Sequence, residues 1–288
     1  MMEKNNHMFV TDFDGTLFRD DRTISREDIS TLRQIGQFGI IRVIATGRSL
    51  YSALKVIPAD LPIDYLVFSS GAGIMEWKDR KIIRAYSLDR HQIQEIINIL
   101  KAENLDFMLH KKIPDNHFFY YYRFSETLDD FERRCRIYTD YCMEWNPDEI
   151  NSMDEACQFI IIAAEKADIE SIERFRLLKE KINSSGNLNI IRTTSPIDKK
   201  TMWIEIFPSG VSKAAAVKTI ADISSADYNN IAAVGNDFND IQMLEFAENA
   251  FIVDNAPDEL KQKFINVKSN NESGFSDAVK KWLEIKRR

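Results

Sequence analysis

The chain has 288 residues, of which 44% are hydrophobic, 29% charged and 11% aromatic; this excludes disordered, collagen-like and disulfide-scaffold classes, and the length predicts two domains or one domain with a large insertion. Lys and Arg number 38 against 45 Asp and Glu, and the formal charge of -7 argues against a nucleic-acid or anionic-membrane surface. The longest unbroken apolar stretch, Phe159 to Ala164, is far shorter than the roughly 20 residues of a membrane span, MMEKNNHM has no apolar signal core, and Cys135, Cys142 and Cys157 lack CxxC spacing, so a cytoplasmic protein is expected.

In chain order, Met8 to Asp12 reads as a strand. SREDISTLRQIGQFG reads as a helix with Ile29, Leu32 and Ile35 at helical spacing, Ser25 as its N-cap and Gly39 beyond its end. Ile40 to Ala45 is a β-branched run suited to a strand buried on both faces, Arg48 to Ile57 a helix stopped by Pro58, and Tyr65 to Ser69 a third strand closing on the turn SSGAG. This alternation predicts a parallel sheet with helices on both faces.

From about Arg84 the rhythm changes. A helix from Asp89 carries Ile93, Ile96, Ile97 and Leu100 on one stripe, followed by strands at Phe107 to His110 and His117 to Arg123 and a polar helix over Glu126 to Tyr141. A strand at Gln158 to Ala163, a helix at Asp168 to Ile182 and strands at Leu188 to Thr193 and Met202 to Phe207 complete this α+β region. After Pro208 the first rhythm returns with helix Ser212 to Ile223, strand Ile231 to Val234, helix Phe238 to Phe246, strand Ala250 to Val253 and helix Gly274 to Ile285. Residues 1–84 and 200–288 are therefore expected to form one α/β, Rossmann-like parallel-sheet core, and 85–199 an inserted α+β domain.

The chemistry concentrates where the core strands end. In FVTDFDGTLF, Asp12 and Asp14 stand two apart, so an extended chain turns both carboxylates to one side at the ligand-binding edge of an α/β sheet. Two unit charges about 4 Å apart interact by roughly 4 kcal/mol at an effective dielectric of about 20, so ionising both calls for a cation, for which Mg2+ suits oxygen donors. IATGRS sets Thr46 and Gly47 where backbone N–H groups can hold a phosphate. In SGVSKAAA, Lys213 opens a helix against the dipole, which points to an anion to be neutralised. AAVGNDFNDIQML places Asn236, Asp237, Asn239 and Asp240 just after a buried strand.

Taken together, DFDGTLF, ATGRS, the lysine of VSK and GNDFNDIQML resemble the four motifs of the haloacid dehalogenase-type phosphohydrolases, and the layout is most similar to the Cof-like sugar-phosphate phosphatases, whose large cap domain lies between the second and third motifs. The resemblance implies Asp12 as nucleophile forming an aspartyl-phosphate, Asp14 as general acid and then base, and Thr46, Gly47, Lys213 and Asn239 as phosphate-binding groups. It also implies a Mg2+ site drawn from Asp12, Asp14, Asn236, Asp237 and Asp240, with Asp240 orienting either Lys213 or a metal-bound water. Two positions depart from the family pattern. Its fourth motif reads GDxxND, so Asn236 stands where a metal-binding Asp is usual, leaving either its amide oxygen or Asp237 to reach the ion; and SSGAG replaces the usual Asn-Gly-Ala turn, with Ser70 in the polar position.

Other signals carry less. FFYYYR, Phe118 to Arg123, reads as a packed strand of the inserted domain, and His7, His91, His110 and His117 lack zinc spacing. GxSxG, GxxxxGK and GxGxxG are absent from the sequence. The expected activity is Mg2+-dependent phosphomonoester hydrolysis on a sugar phosphate or similar small phosphorylated metabolite, by a monomer or homodimer without nucleic-acid or membrane partners. A phosphosugar mutase, which would give isomerised product without free phosphate, and a phosphometabolite-binding protein of weakened catalysis are the alternatives.

Overall fold

Met8–Asp12 (β1) is buried along its whole length, the pattern expected of a strand with neighbours on both edges and layers on both faces. The computed structural model describes residues 7–124, 128–184 and 186–287. They divide into two compact units, the first from residues 7–48, 53–84 and 212–287 and the second from 49–52 and the described residues of 85–211.

In the first unit β1 is followed by Arg26–Gln37 (α1), Ile41–Ala45 (β2), Leu50–Val56 (α2), Tyr65–Phe68 (β3), Gly73–Glu76 (β4) and Lys81–Ala85 (β5). Ser25 caps α1 by accepting from the Asp28 N–H, Leu32 and Ile35 face the core, and Gly39 takes φ +74° beyond the helix. The second unit begins with Leu88–Asp89 (β6), Arg90–Ala102 (α3), Phe107–Lys111 (β7), Phe119–Tyr122 (β8), Asp129–Ile137 (α4), Cys142–Glu144 (β9) and Pro147–Asn151 (α5). It continues through Glu155–Ala164 (β10), Ile169–Ile182 (α6), Leu188–Thr194 (β11) and Met202–Pro208 (β12). The chain then returns to the first unit with Lys213–Ser224 (α7), Ile231–Gly235 (β13), Ile241–Phe246 (α8), Asn249–Val253 (β14), Asp258–Lys261 (α9), Ile265–Val267 (β15) and Gly274–Lys286 (α10).

The first unit's sheet has the order β15-β14-β13-β1-β2-β3-β4-β5. From β15 to β3 neighbouring strands are parallel, so β1, β2, β13 and β14 all release their loops at one edge. The expected parallel-sheet core is observed from β15 to β3; beyond it β4 runs antiparallel to β3, because the SSGAG turn folds the chain straight back. The short strands β4, β5 and β15, of four, five and three residues, were not among the expected elements.

The second unit's sheet has the order β11-β12-β10-β7-β8-β9, with β6 paired to β10. Its strand residues alternate: Phe159 and Ile161 join Ile93, Ile97, Leu100 and Ile182 of α3 and α6, while Ile160, Ile162 and Trp203 join Phe131 and Cys135 of α4. The expected return to the core at residue 200 is corrected here, since β12 pairs antiparallel with both β10 and β11 and the first unit resumes at Ser212. A buried apolar strand suits either sheet by composition; its hydrogen-bond partners assign it. The polar helix expected from Glu126 is observed as α4, and residues 125–127 at its expected start lie outside the described residues, as do residues 1–6 of the opening segment. Among the described residues no helix is long and apolar enough to cross a membrane, and Cys135, Cys142 and Cys157 form no disulfide.

Candidate active site

Four loops at the carboxyl edge of the first unit's sheet build one hydrogen-bonded cluster. β1 delivers Asp12, 5% exposed, and Ser212 caps α7 by accepting from the Ala215 N–H, which sets Lys213 at the first helical position. Lys213 is buried, and its Nζ donates to Asp12 Oδ1 at 2.7 Å and to Asp240 Oδ1 at 2.6 Å. A buried ammonium persists only when it is paired and hydrogen-bonded, and here two carboxylates do both. Burial, then the Asp240 charge, pushes the Asp12 carboxyl up against the pull of Lys213; burial opposes the Lys213 charge, but Asp12 and Asp240 outweigh it and raise its pKa. The anion that Lys213 called for at the sequence level is thus supplied within the protein.

Asp240 was expected among the metal ligands. Its oxygens are engaged otherwise: Oδ1 by Lys213, and Oδ2 by the backbone N–H groups of Asn236 at 2.8 Å and Asp237 at 3.1 Å. This closed arrangement needs Gly235, where a Cβ would stand 2.6 Å from Asp240 Oδ2. The helix expected from Phe238 starts as a 3-10 turn, Phe238–Asp240, before α8. Asp237 caps that turn, accepting from the Phe238 N–H at 2.7 Å.

The Asn236 amide settles against the first motif. One of its terminal atoms lies 3.2 Å from the Asp14 carbonyl oxygen and 3.1 Å from Asp12 Oδ2, and hydrogen bonding assigns it as nitrogen, donating to both. With the amide turned over, its oxygen would stand 3.2 Å from the Asp14 carbonyl oxygen and 3.1 Å from Asp12 Oδ2, which groups a carboxylate, a carbonyl and an amide oxygen. That is a hard, all-oxygen donor set of the kind Mg2+ accepts. Among the described residues no group of three or more His, Cys, Asp or Glu could hold a metal ion.

Asp14 is gripped by a residue to which the sequence reading gave no role. Arg48 donates through Nη2 to Asp14 Oδ1 at 2.6 Å and through Nε to Oδ2 at 2.8 Å, while Thr46 Oγ1 donates to Oδ2 at 3.5 Å. The guanidinium lies 5.9 Å from the ring centroids of both Phe13 and Phe18, which stack on each other. Arg48 was visible in IATGRS, but a lone Arg after a turn reads as a solvated side chain. The helix expected to open there begins only at Leu50, and Thr46 instead accepts from the Arg48 N–H at 3.1 Å in a side-chain-closed turn.

Gly47 faces the remaining polar groups. A Cβ at Gly47 would stand 3.5 Å from Ser70 Oγ and 4.0 Å from Asn239 Nδ2. Ser69 and Ser70 hold left-handed backbone at φ 49° and 54°, and Gly71, at φ 108°, lets the turn approach within 2.3 Å of the Ser212 carbonyl, counted from a Cβ there. Thus Asp12, Asp14, Thr46, Lys213, Asn236 and Asp240 are joined by hydrogen bonds, Gly47 and Asn239 lie beside one another, and Asp237 caps the neighbouring turn.

Comparison with known proteins agrees with this geometry. The haloacid dehalogenase-like hydrolase family matches residues 9–279. The 5-amino-6-(5-phospho-D-ribitylamino)uracil phosphatase YitU of Bacillus subtilis (strain 168) is 26% identical, covering 99% of this chain and 100% of that one. Phosphatase YwpJ of the same organism is 23% identical over 96% of this chain and 99% of its own. Among solved structures, BT1666 of Bacteroides thetaiotaomicron, a phosphatase of the haloalkanoate (HAD) enzyme superfamily, superposes with a TM-score of 0.76 at 22% identity, covering 98% of this chain and 96% of that one. The chain therefore belongs to the haloacid dehalogenase-like hydrolase family and is an enzyme, a phosphatase.

Proposed function

We propose that the protein hydrolyses phosphomonoesters of small phosphorylated metabolites, sugar phosphates among them, with Mg2+ as cofactor and Asp12 as covalent nucleophile. The observation that carries this reading is the buried Asp12–Lys213–Asp240 chain, which Asn236 links to Asp14, whose carboxylate accepts from Thr46. Support for the substrate class comes from the relatives, one of which is named for a phosphorylated ribityl compound.

In this reading Asp12 attacks phosphorus and forms an acyl-phosphate bond as the P–O bond to the leaving alcohol breaks. Asp14, carrying a proton at that moment, delivers it to the leaving oxygen; the resulting carboxylate then takes a proton from the water that cleaves the aspartyl-phosphate, returning phosphate and free Asp12. Arg48 donates to both Asp14 oxygens, so one of these bonds must open for Asp14 to carry and deliver the proton. Lys213, the Thr46 hydroxyl, the Gly47 backbone N–H and the Asn239 amide receive the phosphoryl oxygens, and Asp240 keeps Lys213 aimed. Asp12 Oδ2, the Asp14 carbonyl and the Asn236 amide oxygen would hold Mg2+, which when bound supplies positive charge against the repulsion between a carboxylate and a phosphate dianion. The second unit acts as the cap that selects the leaving group.

The test is phosphate release from an aryl phosphate and a panel of sugar phosphates, with Mg2+ or EDTA, for the wild type and Asp12→Asn. Release that requires Mg2+ and falls at least about a thousandfold in the variant supports the mechanism. Equal release by the variant rejects the nucleophile, and wild-type release undiminished by EDTA rejects the cofactor.

A further inference from the structure

The turn that carries Asp14 is held from the far side by three asparagines outside the four motifs. Asn255 follows β14, two strands from β1, and its Nδ2 donates to the Gly15 carbonyl at 2.8 Å. Its Oδ1 accepts from the Asn270 N–H at 2.9 Å, and Asn270 Nδ2 donates to the Phe18 carbonyl at 3.3 Å. Asn271 continues the series: its carbonyl accepts from Arg19 at 2.7 Å and its side chain exchanges bonds with Asp20. The grip therefore runs along the loop from Gly15 to Asp20.

Packing does not account for these side chains. Asn255 is exposed, so it fills no core space. Asn270 is 1% exposed, and its Oδ1 has no partner among the described residues. A buried acceptor without a partner is destabilising, and an apolar side chain of that size would avoid the penalty; what an apolar side chain lacks is the donor to Phe18. Gly15 meanwhile is approached by two amides: a Cβ there would stand 2.6 Å from Asn236 Nδ2 and 3.7 Å from Asn255 Nδ2. With Asn255 and Asn236 both engaged, the peptide between Asp14 and Thr16 has little freedom to rotate, and the Asp14 carbonyl and carboxylate keep their directions.

We propose that Asn255, supported by Asn270, is a positioning residue: it fixes the Asp14–Gly15–Thr16 turn and so sets the geometry in which Asp14 works. The consequence for turnover rests on the phosphatase reading above; the rigidity of the turn does not. Asn255→Asp is the discriminating variant, because it keeps the size and the acceptor for the Asn270 N–H but cannot donate to Gly15; Asn255→Ala removes both bonds. Both are expected to lower kcat for an aryl phosphate by about 10- to 100-fold with KM changed less than about threefold, since Thr46, Gly47 and Lys213 are untouched. Thermal unfolding should stay close to wild type, and exchange of the Gly15 and Phe18 amides, which bond within the turn, should speed up at least about tenfold in both variants. Unchanged exchange, or a kcat within about twofold of wild type when wild type is active, overturns the proposal. An inactive wild type would sink the phosphatase reading instead, and amide exchange would still decide the clamp.

Discussion

Asp12, Lys213 and Asp240 in the first unit and His110 and Gln158 in the second are all at most 5% exposed, yet they meet burial in different ways. In the first group one ammonium lies between two carboxylates. The second avoids charge. His110 Nδ1 donates to the Asn116 carbonyl at 2.7 Å, which leaves Nε2 as an acceptor toward Arg134, and burial followed by the Arg134 charge pushes its pKa down to about 3. A charged cluster at a strand edge stores electrostatic work that a reaction can use, whereas a neutral ring in a sheet contributes packing and one hydrogen bond. The same degree of burial thus accompanies an ion-paired chain in one group and neutral hydrogen bonding in the other.

The strongest way to break this contrast is Lys213→Met. It leaves Asp12 and Asp240 facing each other without the ammonium, so unfolding in urea should show a loss of about 3 to 5 kcal/mol at neutral pH, and phosphate release should fall by at least about a thousandfold. A stable, active variant would mean that the ion-pair chain is neither structural nor catalytic.

The second unit answers to acid instead. The His110 pKa is about 3 in the folded chain against an ordinary 6.5, so between those values the unfolded chain binds the extra proton. Its stabilising contribution is complete above pH 6.5 and is lost as pH falls toward 3. Between pH 6.5 and 5 this amounts to about 2 kcal/mol, which should be the difference in pH slope between wild type and His110→Gln. Identical slopes in denaturant titrations would show that His110 is not held neutral.

These two groups also differ in how far the sequence reveals them. Asp12, Asp14, Lys213 and Asp240 were legible because strand, turn and helix start fix where each side chain goes once the local element is known. Arg48 was not: its role depends on Phe13 and Phe18 stacking beside Asp14, a tertiary arrangement that IATGRS does not encode locally. Ser70 was named as a polar contact, but two consecutive left-handed serines could not be foreseen from residues that rarely take that conformation. In the second unit His110 looked like any histidine on a strand, and the placement of β12 rested on pairing partners more than 35 residues away in β10. Local chemistry is written in the motif, while long-range pairing emerges only with the fold.

Asn236→Asp sharpens the comparison inside the first unit. Without Mg2+ it replaces a donor to Asp12 Oδ2 and the Asp14 carbonyl with a third carboxylate near Asp12 and Asp240, so the thermal midpoint should fall. Mg2+ should then raise the midpoint more than it does in wild type, and calorimetry should show about tenfold tighter binding, equal to about 1.4 kcal/mol. No gain in affinity would exclude the Asn236 amide from the cation's donor set.

Gly47→Ala is expected to have the smallest effect on the fold and the most selective effect on the site. The added methyl would meet Ser70 Oγ at 3.5 Å and Asn239 Nδ2 at 4.0 Å, which are ordinary contact distances, so stability should stay within about 0.5 kcal/mol of wild type. The methyl would nevertheless occupy the space between those two polar groups, where a phosphoryl oxygen needs room. KM for the aryl phosphate should rise about tenfold, with unfolding unchanged. An unchanged KM would move the phosphate away from Gly47 and toward the Lys213 side, whereas a fall in stability would mean that Gly47 serves the turn and not the cradle.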